Sequence, residues 1–134
     1  MRTQLARRKS FQCLHRYVVP EWTDSANSSE FGACFTPTGH GHNYTLEAYI
    51  EGDVDPVSGM IMNLIDVDRV LDEVVGAVDG KHLNLEVPGL KGQVPTTERL
   101  AHYLFSKLEG KFTGARLARL RLYEYENLWV DICD

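Results

Sequence analysis

Residues 31–44 read FGACFTPTGHGHNY, which sets Cys34 six positions ahead of His40 and leaves a single glycine between His40 and His42. Thiolate and imidazole are both zinc ligands, and a thiol beside a bound cation is acidified until it can serve as a base or nucleophile. Side chains alternate along an extended strand, so His40 and His42 project from the same face about 6–7 Å apart at the backbone, close enough to converge on one ion. A hydrogen-bonded, partly buried histidine pair would share that spacing, but His-Gly-His at a strand start is a metal signal. The earlier stretch KSFQCLHRYV places Phe11, Cys13 and His15 on one side of a second strand, with His15 at its end. If the two strands are neighbours, His15 completes a three-histidine set with one position open to water or substrate, as in catalytic zinc sites. Read alone, His15 is better taken as a sheet histidine stacked on its neighbours. Cys34 then has three readings: a fourth ligand that closes a structural site, a base or nucleophile just outside the metal, or an inert buried thiol.

The elements that must position these residues follow from the hydrophobic pattern. From His40 onward, Tyr44, Leu46, Ala48 and Ile50 alternate with polar residues, the signature of a half-buried strand. DPVSG then supplies a turn, and MIMN reads as a returning extended arm, making a hairpin. In DVDRVLDEVVGAV the residues Val67, Val70, Leu71, Val74, Val75 and Val78 recur at helical spacing, with Asp66, Asp68, Asp72 and Glu73 opposite. PTTERLAHYLFSKLEG predicts a second helix capped by Thr96, with Leu100, Leu104, Phe105 and Leu108 as its apolar stripe and Gly110 past its end. The tail ARLARLRLYEYENLWVDIC alternates again and turns at Glu126 and Asn127. A long irregular stretch is expected from about Asp79 to Pro95. The order predicts an α+β fold, an antiparallel sheet with helices on one face.

Bulk properties exclude several classes of function. The chain has 134 residues and a formal charge of −5, so one domain over 1–134 is expected and nucleic acid is not its partner. No apolar stretch is long enough to span a bilayer, and none of signal-peptide length follows the basic N-terminus. Three cysteines, Cys13, Cys34 and Cys133, suit a reducing, cytoplasmic setting rather than a disulfide framework.

FGACFTPTGHGHNY and DVDPVSGMIMNLIDV, with FQCLHR, VPTTERLA and LYEYEN, resemble the core motifs of 6-pyruvoyl-tetrahydropterin synthases and the related 6-carboxytetrahydropterin synthases over nearly the whole chain. The resemblance implies the tunnelling fold: a four-stranded antiparallel sheet with two helices on one face, strands joining across subunits into a barrel, and two trimers stacked as a homo-hexamer. It implies zinc on His15, His40 and His42, and Cys34 as the catalytic thiol. The implied substrate is 7,8-dihydroneopterin triphosphate, from which triphosphate is eliminated; the carboxy enzymes, which serve queuosine and deazapurine synthesis, also release acetaldehyde. Glu124 matches the family's pterin-anchoring glutamate, and Thr96, Thr97 and Glu98 match its second pterin-contacting segment. A pterin's exocyclic amine and ring N–H present parallel donors to a carboxylate's two oxygens.

The sequence departs from the family where Leu-Asp-His is usual. Here VDGKHLNL, aligned without gaps, puts Asp79 at the aspartate and Gly80 at the histidine of the pair that the resemblance implies assists the cysteine; His82, two residues on, reaches the histidine's place by a loop rearrangement or matches it in a gapped alignment. That departure keeps a non-catalytic pterin-binding homologue, or a zinc module closed by Cys34, as competing readings. Five residues separate Cys34 from His40, as in the pyruvoyl enzymes, where the carboxy enzymes leave three. The basic Arg7, Arg8 and Lys9, together with Arg16, are candidates to receive the phosphates.

Overall fold

A computed structural model describes residues 1–134. Strand β1 (Thr3–His15) pairs antiparallel with β2 (His40–Gly52), from Thr3 opposite Gly52 to His15 opposite His40. Between them runs helix α1 (Asp24–Phe31), closed by a 3₁₀ turn at Gly32–Cys34. Helix α2 (Leu64–Gly76) follows β2, then come the two-residue strand β3 (Lys81–His82) and the short helix α3 (Leu83–Glu86). Helix α4 (Thr97–Leu108), β4 (Arg116–Tyr125) and β5 (Leu128–Cys133) complete the chain. The sheet order is β3-β1-β2-β4-β5. All pairings are antiparallel except β3, which lies parallel to β1 at Cys13 and Leu14.

One sheet face is apolar because alternate residues of three strands point the same way: Phe11 and Cys13, then Tyr44, Leu46, Ala48 and Ile50, then Leu120 and Leu122. The two long helices cover it. Asn63 caps α2 by accepting from the Ile65 N–H at 2.9 Å, and the helix buries Val67, Leu71, Val74 and Val75. Thr96 caps α4 by accepting from Arg99, and Leu100, Ala101, Leu104 and Leu108 go inward. The opposite sheet face is polar. There the Arg8 guanidinium and the Tyr49 and Tyr123 hydroxyls all donate to Glu47, and Arg121 forms a two-pronged pair with Asp131 at 2.8 and 2.9 Å.

Several expectations are corrected. Residues 60–63 form no second hairpin arm, because β2 already has β1 on one side and β4 on the other. After a turn in which Asp55 accepts from Val57 and Ser58, the chain instead packs Ile61 and Met62 against the core and enters α2. The sheet has five strands rather than four, the fifth being the short β3, and the stretch from Asp79 to Pro95 is partly ordered by β3, α3 and a 3₁₀ turn. Strand β1 begins at Thr3, so the basic run lies inside it. Arg7 and Lys9 pair with Asp68, Lys9 also with Asp72, and Arg8 with Glu47 on the other face. The fold pairs each of these three cations with a carboxylate. Helix α1 carries no apolar stripe to betray it; Thr23 caps it, and the buried Asn27 side chain accepts from the Val19 N–H and donates to the Val19 and Thr23 carbonyls.

Candidate metal and catalytic site

The site lies where the apolar face turns polar, at the ends of β1, β2 and β4. Antiparallel register sets His15 directly opposite His40 and Cys13 opposite His42. The three rings gather with centroids 4.7–4.8 Å apart, and His15 Nε2 lies 3.3 Å from His40 Nε2. One nitrogen from each ring falls within 4.8 Å of the others. Tyr44, two residues beyond His42 on the same face, brings its hydroxyl to 2.9 Å from His15 Nδ1.

Electrostatics favour neutral rings at His15 and His42. Burial, reinforced by His42, His40 and His82, pushes the His15 imidazolium down to about 3. His42 is lowered by burial and by His40, against the opposing pull of Glu124. Neutral imidazoles are the form that binds metal. His42 Nε2 is moreover buried with no hydrogen-bond partner, although Glu124 Oε1 lies 3.2 Å away; distance permits that contact but its angles do not make a hydrogen bond. Three converging imidazole nitrogens, one of them orphaned, fit a borderline-soft divalent cation such as zinc.

Glu124 continues the apolar face of β4 and turns its carboxylate into the same space, as the strand alternation predicted. Its Oε2 accepts from Thr97 Oγ1 at 2.7 Å, and its Oε1 lies 3.8 Å from His15 Nε2. Thr97, buried in the first turn of α4, thereby orients the acid. Thr96 points its hydroxyl to the helix cap instead, and Glu98 is exposed one residue on.

Cys34 ends the 3₁₀ turn, half-buried, and its sulfur is outside the histidine group. Burial first and the Glu124 charge second push its thiol up. Its carbonyl accepts from the Tyr17 N–H at 2.9 Å, which ties the cysteine loop to the end of β1. Tyr17 was not singled out in the sequence; its ring lies 4.9 Å from that of His15, and burial with Glu124, Cys34 and Glu98 nearby keeps its hydroxyl protonated. Tyr44 was read only as an apolar strand residue, though its parity with His42 would have identified it.

Asp79 and His82 stand on the β3 flank of β1. Asp79 Oδ1 accepts from the Gln12 N–H at 2.9 Å. His82 turns Nε2 to the Thr38 carbonyl at 3.2 Å, while its Nδ1 is buried without a partner. Gly80 has φ +76° and donates its N–H to the Gln12 carbonyl at 2.7 Å, a left-handed position that disfavours a histidine.

The family profile described as 6-pyruvoyl tetrahydropterin synthase matches residues 4–133. The chain belongs to that family. It is 37% identical over 125 residues to the 6-pyruvoyl tetrahydrobiopterin synthase of Pongo abelii, covering 92% of this chain and 86% of the relative. A putative 6-carboxy-5,6,7,8-tetrahydropterin synthase of Archaeoglobus fulgidus is 36% identical over 93 residues, 69% of this chain and 74% of the relative. The solved structure of Caenorhabditis elegans 6-pyruvoyl tetrahydropterin synthase superposes with a TM-score of 0.92 at 29% identity, covering 100% of this chain and 96% of the other. The chain is therefore a lyase of this family with the tunnelling fold, and its three histidines can hold a metal ion.

Proposed function

We propose that this chain, as a single domain over residues 1–134, is a zinc-dependent carbon–oxygen lyase that takes 7,8-dihydroneopterin triphosphate and eliminates triphosphate. The observation that carries the reading is the convergence of three imidazoles with the Glu124–Thr97 pair, while the thiol of Cys34 stays outside the ligand group. A zinc ion on His15, His40 and His42 would supply Lewis-acid polarisation of the substrate's side-chain hydroxyls and a positive charge that favours the Cys34 thiolate. Cys34 Sγ takes the proton from the side-chain carbon. Glu124, held by Thr97, accepts from the paired donors of the pterin ring, and Thr96 and Glu98 flank that contact at the start of α4. His82, with its free Nδ1, is the group that passes the proton on. Asp79 belongs to the same relay through the β1 flank.

Assembly into a hexamer of two trimers is supported by two open sheet edges: the outer side of β5, and β1 from Thr3 to Gln12, which β3 leaves uncovered. Three unpaired cysteines suit the cytoplasm, and no helix is long and apolar enough to cross a membrane. The 6-pyruvoyl product is favoured by the five-residue Cys34–His40 spacing. The resemblance to the Archaeoglobus protein gives the 6-carboxy product as the second reading.

Zinc-loaded protein incubated with dihydroneopterin triphosphate should release triphosphate, and assaying acetaldehyde separates the two products. Cys34→Ala should keep zinc and assembly and lose most turnover. Ligand binding without triphosphate release by the wild type would refute the lyase reading; loss of zinc in Cys34→Ala would point to a closed structural site.

A further inference from the structure

We propose that Arg16 is a phosphoryl-binding residue whose guanidinium, seated on Phe35 where the segments carrying His15, Cys34 and His40 meet, receives the phosphate ester of the substrate. The side chain of Asn84 grips the Arg16 backbone from both sides, its Oδ1 accepting from the Arg16 N–H at 2.8 Å and its Nδ2 donating to the Arg16 carbonyl at 2.7 Å. The guanidinium carbon stands 4.4 Å from the Phe35 ring centroid. Arg16 Nε is buried and has no hydrogen-bond partner.

This state is peculiar to Arg16. Every other arginine reaches a carboxylate except Arg99, which donates to the Val94 carbonyl. Stacking on an aromatic face orients the guanidinium plane but leaves the N–H edge unsatisfied, and that edge matches the oxygens of a phosphoryl group. Its placement suits a substrate whose reacting carbons lie at the histidines. Arg16 directly follows His15, Phe35 directly follows Cys34, and the Arg16 Cβ lies 3.4 Å from where a Cβ on Gly39 would be, just before His40. Three segments that build the site therefore meet around one uncompensated cation.

The assignment of the phosphoryl group to the substrate rests on the reading under Proposed function; the anion site itself does not. Calorimetric titration of the zinc-loaded protein with inorganic tripolyphosphate and with inorganic phosphate tests the site without turnover. Arg16→Gln should weaken tripolyphosphate binding by at least about tenfold and raise KM for the triphosphate substrate by a similar factor, the loss expected for charge-assisted hydrogen bonds. Binding of unphosphorylated dihydroneopterin should not change. If Arg16→Gln does not fold, Phe35→Leu, which removes the stacking surface and keeps the charge, should give a smaller shift in the same direction. Equal tripolyphosphate binding by wild type and the folded variant overturns the proposal, as does equal weakening of unphosphorylated dihydroneopterin. Arg16-dependent binding of inorganic phosphate with KM unmoved overturns the substrate assignment. Arg16-dependent tripolyphosphate binding in a wild type that releases no triphosphate would support the anion site while sinking the lyase reading.

Discussion

Replacing Tyr44 by phenylalanine deletes one oxygen and leaves the ring to fill its space, so its effect isolates a single hydrogen bond. Tyr44 and His15 are both fully buried, and the hydroxyl lies 2.9 Å from His15 Nδ1. In the metal-free protein His15 has two tautomers open to it, one with Nε2–H directed at His40 Nε2, 3.3 Å away. A metal on Nε2 removes that choice: the proton must sit on Nδ1, where the Tyr44 oxygen is its acceptor. In Tyr44→Phe the metal-bound form alone is forced to bury an unpaired N–H, which costs about 1–3 kcal/mol. At about 1.4 kcal/mol per factor of ten, zinc affinity should fall by roughly 10–100-fold, the range seen for second-layer partners of metal-binding histidines.

Equilibrium competition against a chromophoric zinc chelator at neutral pH measures the change. Tyr49→Phe is the control, because its hydroxyl donates to Glu47 at 3.1 Å on the polar face and has no part in the cluster. Unchanged zinc affinity in a folded Tyr44→Phe, or an equal loss in Tyr49→Phe, would refute the argument that Tyr44 fixes the His15 tautomer.

The metal-free protein should lose stability as acid is added. His15 is held at about 3 in the fold against about 6.5 when unfolded, so its contribution is complete above about pH 6.5 and declines as the pH falls toward 3. At pH 5 that single group should lower unfolding free energy by about 2 kcal/mol relative to pH 8, visible in urea unfolding of chelator-treated protein; His15→Gln with the same pH slope would contradict it. Gly39→Ala should be severely destabilised, because its φ is +86° and the new Cβ would fall 2.3 Å from the His15 carbonyl oxygen. Thermal unfolding and zinc stoichiometry report on this, and a wild-type melting temperature with one zinc per chain would be the contrary result.

What the sequence made legible was whatever strand parity controls. Alternation alone placed His40, His42 and Tyr44 on one face and Glu124 on the continuation of Leu120 and Leu122, and the register of β1 on β2 then brought His15 opposite His40. The two long helices were equally readable, since their buried stripes and caps are local features. Less legible were the segments whose conformation depends on side-chain hydrogen bonds across long separations. Helix α1 is held by Asn27, the end of β1 by Asn84, and the Gly80 turn by the Gln12 carbonyl; none of these leaves a periodic trace. The partners of the basic run were hidden for a related reason: Arg7, Arg8 and Lys9 look free in sequence, and only the fold supplies Asp68 and Asp72 from α2 and Glu47 from β2.

The cluster also explains why metal and fold should be coupled here. The strand register forces three imidazoles together in a space where His15 is wholly buried and His42 Nε2 has no hydrogen-bond partner. Protonating one ring would let it bridge to a second, but burial depresses that protonation, and the third nitrogen would still be unsatisfied. Glu124 cannot serve all three, because one of its oxygens is committed to Thr97. A divalent cation satisfies the three lone pairs at once and offsets the Glu124 charge, so its binding energy stabilises the same register that builds the site. Chelation should accordingly lower the unfolding temperature of the wild type more than that of a His42→Ala variant, whose cluster has already lost the orphaned nitrogen and its grip on the ion.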